Sequence, residues 1–408
     1  MQESTRYAVG IDVGTTSIKV VIGNINLTDG ATNIVGVGCV TNHGMRKGVI
    51  TDLTGPARAI DEALGDAERM SGHQVESATM SINGQHILST KADGMVAVGS
   101  SNHEVTNEDI VRLEDVATIG KIPANREIVE IVPYSYKLDG ESNIKDPIGM
   151  IGTRLEIDAN IVSVLSPYFA NLKKAAEMAK VYPRAIKPSA IAAAKSVLNE
   201  EQVENGVAVI DIGGSTTSIA IFEEGDLQYT SVIPIGGINI TNDLAIGLKT
   251  EPDIAEEVKI KYSDAISRNS DDTVSIKKDK GTYEFEVSTI DNIVEARLEE
   301  IFELVQKEFK KAGRAGKLPN GAVLVGGTSN MNNIDEYAKK YFGLAVKIGH
   351  FAGFGGVVDK VNDPKYAAAI GLMLFDGSNN NELYKKNGVF SMKKANGFIS
   401  AIISKFKK

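Results

Sequence analysis

Two stretches of this chain, about two hundred residues apart, follow one pattern. Residues 11–23 read IDVGTTSIKVVIG and residues 210–222 read IDIGGSTTSIAIF, with TTSI repeated letter for letter. In each copy a β-rich segment (AVGID; GVAVIDI) runs into a short turn of Gly, Ser and Thr, and a second β-rich segment (IKVVIG; SIAIF) leaves it. That pattern predicts a strand–turn–strand hairpin twice over. Glycine lets a turn backbone come close to a ligand, and successive N–H groups with hydroxyls cradle phosphate. The first turn offers Gly14, Thr15 and Thr16, with Lys19 following; the second offers Gly213, Gly214, Ser215, Thr216 and Thr217. An aspartate closes each leading strand, Asp12 and Asp211. A carboxylate repels phosphate but holds Mg²⁺, usually through water, and both are also candidates for positioning a water. Two ordinary hairpins would explain either copy alone. The pair in register predicts two related half-molecules clamping a nucleotide's phosphates from both sides.

A third string completes the set. Residues 321–342, GAVLVGGTSNMNNIDEYAKKYF, read strand, Gly-Gly-Thr turn, helix. Gly326, Gly327 and Thr328, with Met331 beyond them, are placed to pack on adenine or ribose. Together the three strings resemble the phosphate 1, phosphate 2 and adenosine motifs of the actin, sugar-kinase and Hsp70 ATPase superfamily, in that order. Its two crossing helices have counterparts in the small-residue strings PSAIAAAKSVL (188–198) and KYAAAIGLMLF (365–375).

Within that superfamily the chain resembles FtsA, the bacterial cell-division actin homologue. The likeness is carried by GVGCVTNHGMRKGVITDL (36–53), SINGQHI (81–87), EIVEIVPYSYKLDG (127–140), IKDPIGMIGTRLE (144–156) and SVIPIGGINITNDLAIGLKT (231–250). It implies an α/β, two-lobed actin-like ATPase fold of duplicated RNase H-like halves, with an inserted subdomain and a C-terminal amphipathic helix. The expected division is 6–83 and 163–206 for the first lobe core and 84–162 for the insertion. The second lobe core takes 207–244 and 311–375, with a subdomain at 245–310. A linker at 376–388 and the amphipathic segment at 389–408 follow. The resemblance further implies ATP and Mg²⁺ as ligands, self-association into filaments, and other division proteins meeting the insertion. The 245–310 subdomain would receive the C-terminal tail of FtsZ. Family members commonly read D-I-G-G-G-T-T-D at phosphate 2. Here Ser215 stands for the third glycine and Ser218 for the acid, so binding is expected to persist while turnover is slow at most.

Three candidate sites stay open between two readings. Arg297, in an I-x-x-x-R-L-x-E-I pattern, suits an acidic peptide carboxylate or is a solvated helix arginine. Glu256 and Lys259 lie three apart on one helix face, reaching the ribose by resemblance or forming a surface ion pair.

The chain has 408 residues, enough for roughly two to four folding units. Its net charge of −9 argues against nucleic acid as a partner. The single cysteine, Cys39, cannot form an internal disulfide. No leader peptide or membrane span is expected from the hydropathy pattern. The charge is uneven, however: from Lys385 onward there are seven lysines and no acid, leaving the rest near −16. Within that tail Phe398, Ile399, Ile402, Ile403 and Phe406 fall on one helical face, flanked by Lys405, Lys407 and Lys408. Such a segment lies in the interface of an anionic membrane rather than crossing it. With the family resemblance, this implies a protein that tethers FtsZ to the inner face of the cytoplasmic membrane at the division site. A PilM-like membrane-associated scaffold and a sugar-kinase-type phosphotransferase are the alternatives.

Overall fold

The computed structural model describes residues 5–378 apart from 269, 279 and 280. Its architecture answers the sequence repeat. In the first half the strands Thr5–Val13, Ser17–Asn26 and Thr32–Thr41 form an antiparallel meander. Ser77–Ile82 then adds parallel to the first strand, and Tyr182–Pro188 parallel to that. In the second half Val207–Ile212, Thr217–Glu223 and Asp226–Ile233 form the same meander, with Ala322–Val325 and Val346–Ile348 added in parallel on the other side. The two sheets therefore share one strand order, third–second–first–fourth–fifth. Both hairpins form in the register the repeat implies, Asp12 opposite Lys19 and Asp211 opposite Ser218.

Near-continuous apolar runs in these strands are what a sheet covered on both faces requires. Ile18, Val20, Val21 and Ile22 are fully buried, as are Val207, Ala208, Val209 and Ile210. The small-residue helices Ser189–Val197 and Ala367–Ser378 pack between the halves. A Cβ on Gly371 would sit 1.6 Å from the Ala192 carbonyl oxygen, and one on Gly10 would sit 2.1 Å from that of Ala369. Only glycine admits these approaches.

The expected end of the second lobe is corrected here. Phe354–Gly356 pairs with Thr32–Ile34 on the edge of the first sheet, and Val361, Tyr366, Ala369, Ile370 and Met373 share a core with Ala8, Val21 and Ile34. The strand Phe354–Gly356 and one face of the last helix thus pack on the first lobe, where the strand at 32–41 offers an edge and Gly10 a flat seat, while Ala367 and Ala368 on the same helix pack against Val207, Val209, Val323 and Val325 of the second. The linker boundary also moves. The last helix runs through Ser378, and Asp376 is buried in it. Its carboxylate accepts from the Val9 amide (2.9 Å) and the Thr79 hydroxyl (3.0 Å) and pairs with Arg184 (2.9 Å). An aspartate read as linker polarity is therefore an internal anchor. The amphipathic segment at 389–408 lies outside the described residues.

Inserted between Ser77–Ile82 and Tyr182–Pro188 of the first half is a four-stranded antiparallel sheet, ordered Leu88–Ala97, Arg154–Leu165, Arg126–Leu138, Glu141–Ile144. The helix Asn107–Thr118 covers it, started by a capping box in which Thr106 and Asp109 satisfy each other's amides. The helix Val287–Lys311 buries Ile290, Val294, Leu298, Ile301, Phe302, Val305 and Phe309, the stripe its spacing predicts; Ile293 is only partly buried. No helix among the described residues is long and apolar enough to cross a membrane.

Candidate functional site

The site is assembled where the leading strands of both halves end. Asp12 is buried, and its Oδ2 lies 3.0 Å from the Lys19 ammonium on the opposing strand. Burial opposes a charged lysine, but the Asp12 carboxylate beside it outweighs that and holds the Lys19 pKa above its ordinary value. The other Asp12 oxygen accepts from Ser81 Oγ at 2.9 Å, and Ser81 in turn accepts from the Val13 amide at 2.7 Å. The turn beyond is held from behind. Asn42 donates to the Gly14 carbonyl (2.7 Å), and the Gly48 amide donates to Thr15 Oγ1 (3.0 Å).

The second turn is built alike and held differently. The Gly213 amide donates to the Thr216 carbonyl at 2.9 Å, closing the loop. The Gly213 carbonyl accepts from the Gly237 amide (2.9 Å) and from Thr328 Oγ1 (3.1 Å), and the Gly214 carbonyl from the Ile238 amide (2.6 Å). In a trans peptide the N–H points opposite to the C=O. The amides of Gly214 and Ser215 therefore turn away from the helix Gly237–Gly247 that takes up those carbonyls. Thr217 donates to the Ile235 carbonyl (2.9 Å) and serves the turn's shape rather than offering a free hydroxyl.

The two turns meet. A Cβ on Gly214 would lie 2.4 Å from Thr16 Cγ2. Ser215 Oγ is buried and has no hydrogen-bond partner. An orphaned hydroxyl in a turn of this kind fits a loop shaped to receive oxygen atoms of a ligand. Asp211 shares this floor. Burial, together with the charge of Asp12 and against the pull of Lys19, pushes its pKa up to about 7. The two carboxylates supply oxygens that suit a hard divalent cation held through water, against the charge of the Lys19 ammonium paired with Asp12. No cluster of three or more metal-ligating side chains occurs among the described residues.

The Gly-Gly-Thr turn leans on the second loop. Gly326 has φ +88°, and a Cβ there would meet Asp211 Oδ1 at 2.4 Å. Gly327 is open, with Lys365 Cβ 4.0 Å away, while Met331 caps the short turn and packs on the second core. Lys259 contacts the Gly237 carbonyl (3.2 Å), Thr241 Oγ1 (2.8 Å) and Glu256 (2.6 Å). Glu256 and Lys259 therefore do form an ion pair, but one set against the residue that ties down the second loop. Arg297 stands apart from the cleft. It forks onto both oxygens of Asp243, with Nη2 at 2.9 Å from Oδ1, and also pairs with Glu300.

Sequence reasoning missed Ser81, Asn83, Gly237 and Thr241. Ser81 lies near the end of the buried strand Ser77–Ile82 and Asn83 just beyond it, and polar side chains there were the available signal. The latter two open a helix, behind a string assigned only by likeness.

Duplicated halves of one strand order, facing turns and an intervening antiparallel subdomain define an actin-like α/β protein with an insertion in its first lobe. Solved structures agree at the level of the fold. A PilM–PilN type IV pilus biogenesis complex superimposes with a TM-score of 0.66 at 15% identity, covering 90% of this chain and 98% of that one. MreB5 of Spiroplasma citri bound to ADP gives 0.55 at 16% identity, covering 92% and 97%. Family models match "Cell division protein FtsA" at residues 208–371 and "SHS2 domain inserted in FTSA" at residues 84–163. The cell division protein FtsA of Pseudomonas aeruginosa is 34% identical over 377 residues, covering 91% of this chain and 90% of that protein. The chain belongs to the FtsA family of cell-division proteins.

Proposed function

We propose that this chain binds Mg-ATP between its two glycine–threonine turns, polymerises, and tethers FtsZ filaments to the inner face of the cytoplasmic membrane at the division site. The observation that carries the nucleotide reading is the contact of Thr16 with Gly214 beside the unpartnered Ser215 hydroxyl. Gly14–Thr16 and Gly213–Thr216 would hold the phosphates, and Gly326–Thr328 with Met331 the adenosine. Glu256 and Lys259 would stand at the ribose side. Asp12 and Asp211 would hold Mg²⁺ through water, and the ion would neutralise phosphate charge that their carboxylates repel. MreB5 with ADP and a MamK double helical filament supply precedents on this fold for a nucleotide and for a filament.

FtsZ docking at the 245–310 subdomain meets an arginine already paired. Glu300 is the more exposed of its partners, 50% against 28% for Asp243, and is the one an incoming carboxylate would replace. Other division proteins would meet the inserted sheet.

The membrane anchor is the segment with Phe398, Ile399, Ile402, Ile403, Lys405 and Phe406. Each lysine near anionic lipid contributes about 1 kcal/mol. Folding the tail costs about 1–2 kcal/mol per residue in backbone entropy. One copy is therefore a weak anchor, and a filament presenting many binds firmly through effective concentration. The test is co-sedimentation with anionic vesicles, with and without ATP, for the full chain and for one lacking residues 389–408. ATP-dependent pelleting that vanishes with the tail is expected. Pelleting that survives its removal refutes the anchor.

A further inference from the structure

The string SINGQHI ends the strand Ser77–Ile82 and leads into the insertion. Ser81 serves the first turn, as described above. Two residues on, Asn83 reaches across to the second half. Its Nδ2 donates to Thr216 Oγ1 at 3.2 Å, and its Oδ1 accepts from Ser218 Oγ at 3.1 Å. Both partners belong to the second hairpin, so one side chain spans from lobe to lobe at the floor of the cleft. Thr216 and Ser218 are 4% and 1% exposed, so water does not readily replace a bond lost there.

The amide cannot turn round freely. Asn83 Oδ1 also accepts from the Gly84 amide at 2.7 Å, which commits that end of the side chain as an acceptor. Position 218 must then supply a donor. A hydroxyl does so; an ionised carboxylate does not. Ser218, where the family pattern reads an acid, is thereby matched to Asn83. The Ser189 hydroxyl, at the start of a crossing helix, lies 3.5 Å behind Ser218 Oγ.

We propose that Asn83 is a positioning residue for the nucleotide phosphates. It holds the Thr216–Ser218 side of the second turn to the first lobe and so sets the gap the phosphates must fit. This deepens the nucleotide reading above and rests on it. Asn83 acts through Thr216 and Ser218, not on the ligand.

The test is calorimetric titration of the full chain, in Mg²⁺, with ATP and separately with adenosine, for wild type, Asn83→Ala, Ser218→Ala and Ser218→Thr. Asn83→Ala loses three side-chain hydrogen bonds, the two that cross between the lobes and the local one from the Gly84 amide, and the loss of the crossing pair is expected to weaken ATP about tenfold. Ser218→Ala loses one of the two crossing bonds, about threefold on the same scale, besides the long contact from Ser189. Ser218→Thr keeps the hydroxyl and is expected to stay within about twofold of wild type. Adenosine affinity should hold in all four proteins, because the bridge orders the phosphate turn alone. ATP affinity unchanged in Asn83→Ala, or ATP and adenosine weakened equally, overturns the proposal. If Asn83→Ala does not fold, the serine pair decides: alanine and threonine at 218 binding ATP alike overturns it too. A wild-type chain that binds no ATP sinks the nucleotide reading and this proposal together. Binding by wild type with no variant effect sinks only the proposal.

Discussion

Gly214→Ala tests the facing-turn geometry directly. Gly214 has no positive φ, so alanine meets no backbone penalty there. What it meets is the other lobe, with the added Cβ 2.4 Å from Thr16 Cγ2 and 3.0 Å from its Oγ1. Ordinary contact begins near 3.4 Å, so the turns must part by about an ångström or Thr16 must rotate away from the cleft. Overpacking of this kind costs about 1–3 kcal/mol. If the nucleotide site requires the turns at their present separation, that cost appears as roughly a 5–150-fold loss of ATP affinity. Thr16→Ser removes the offending methyl, so the double variant should recover most of the loss, with the coupling read from a double-mutant cycle. Gly236→Ala is the control. Its Cβ would meet the Gly213 carbonyl oxygen at 2.5 Å within one lobe, so no change at Thr16 can rescue it. Fluorescent ATP titration of the four-member cycle and the control is the assay. Additive losses in the cycle, or rescue of Gly236→Ala by Thr16→Ser, refute the claim that the two turns touch across a cleft.

Asp211 gives a pH signature. Its folded-state pKa is about 7 against an ordinary 3.8, so the folded chain holds a proton that the unfolded chain releases. Without Mg²⁺, the stability from this group is intact below about pH 4 and is lost as pH rises through about 7. Urea midpoints at pH 5 and 8 should therefore fall further for wild type than for Asp211→Asn, and equal falls contradict the assignment. Gly371→Ala sets packing against propensity. Alanine in a helix interior normally gains about 0.5–1 kcal/mol over glycine, but here its Cβ meets the Ala192 carbonyl oxygen at 1.6 Å. The urea midpoint should drop by the equivalent of at least about 1–3 kcal/mol, and a rise would show that the crossing helices do not pack as described.

The architecture was legible because it is written twice. Asp, Gly and paired Thr recur in register, and each hairpin forms in that register because the flanking strands are apolar enough to be covered on both faces. The long helix Val287–Lys311 is equally legible, since Ile290, Ile293, Val294, Leu298, Ile301, Phe302, Val305 and Phe309 recur in the sequence at helical spacing. What local pattern could not carry was anything decided by a distant partner. Asp376 reads as the first residue of a polar linker. Its neutralising contacts, Arg184 and the Val9 amide, lie 192 and 367 residues away, and with them the same aspartate ends a buried helix. Glu256 and Lys259, three apart on one helix face, admit both a ligand site and an ion pair in sequence. The fold makes them a pair, yet sets Lys259 against the Gly237 carbonyl.

Ser218 shows the same limit from the other side. As a string it is a missing carboxylate, which argues for slow turnover with binding kept. Facing Asn83, whose acceptor end the Gly84 amide commits, it is the donor that position needs. A departure from a family pattern therefore has no sign until its partner across the fold is known. Here the partner is 135 residues away in the other lobe. The cleft's chemistry is thus shared between halves: each hairpin supplies its own turn, but the separation of the turns depends on contacts neither half makes alone.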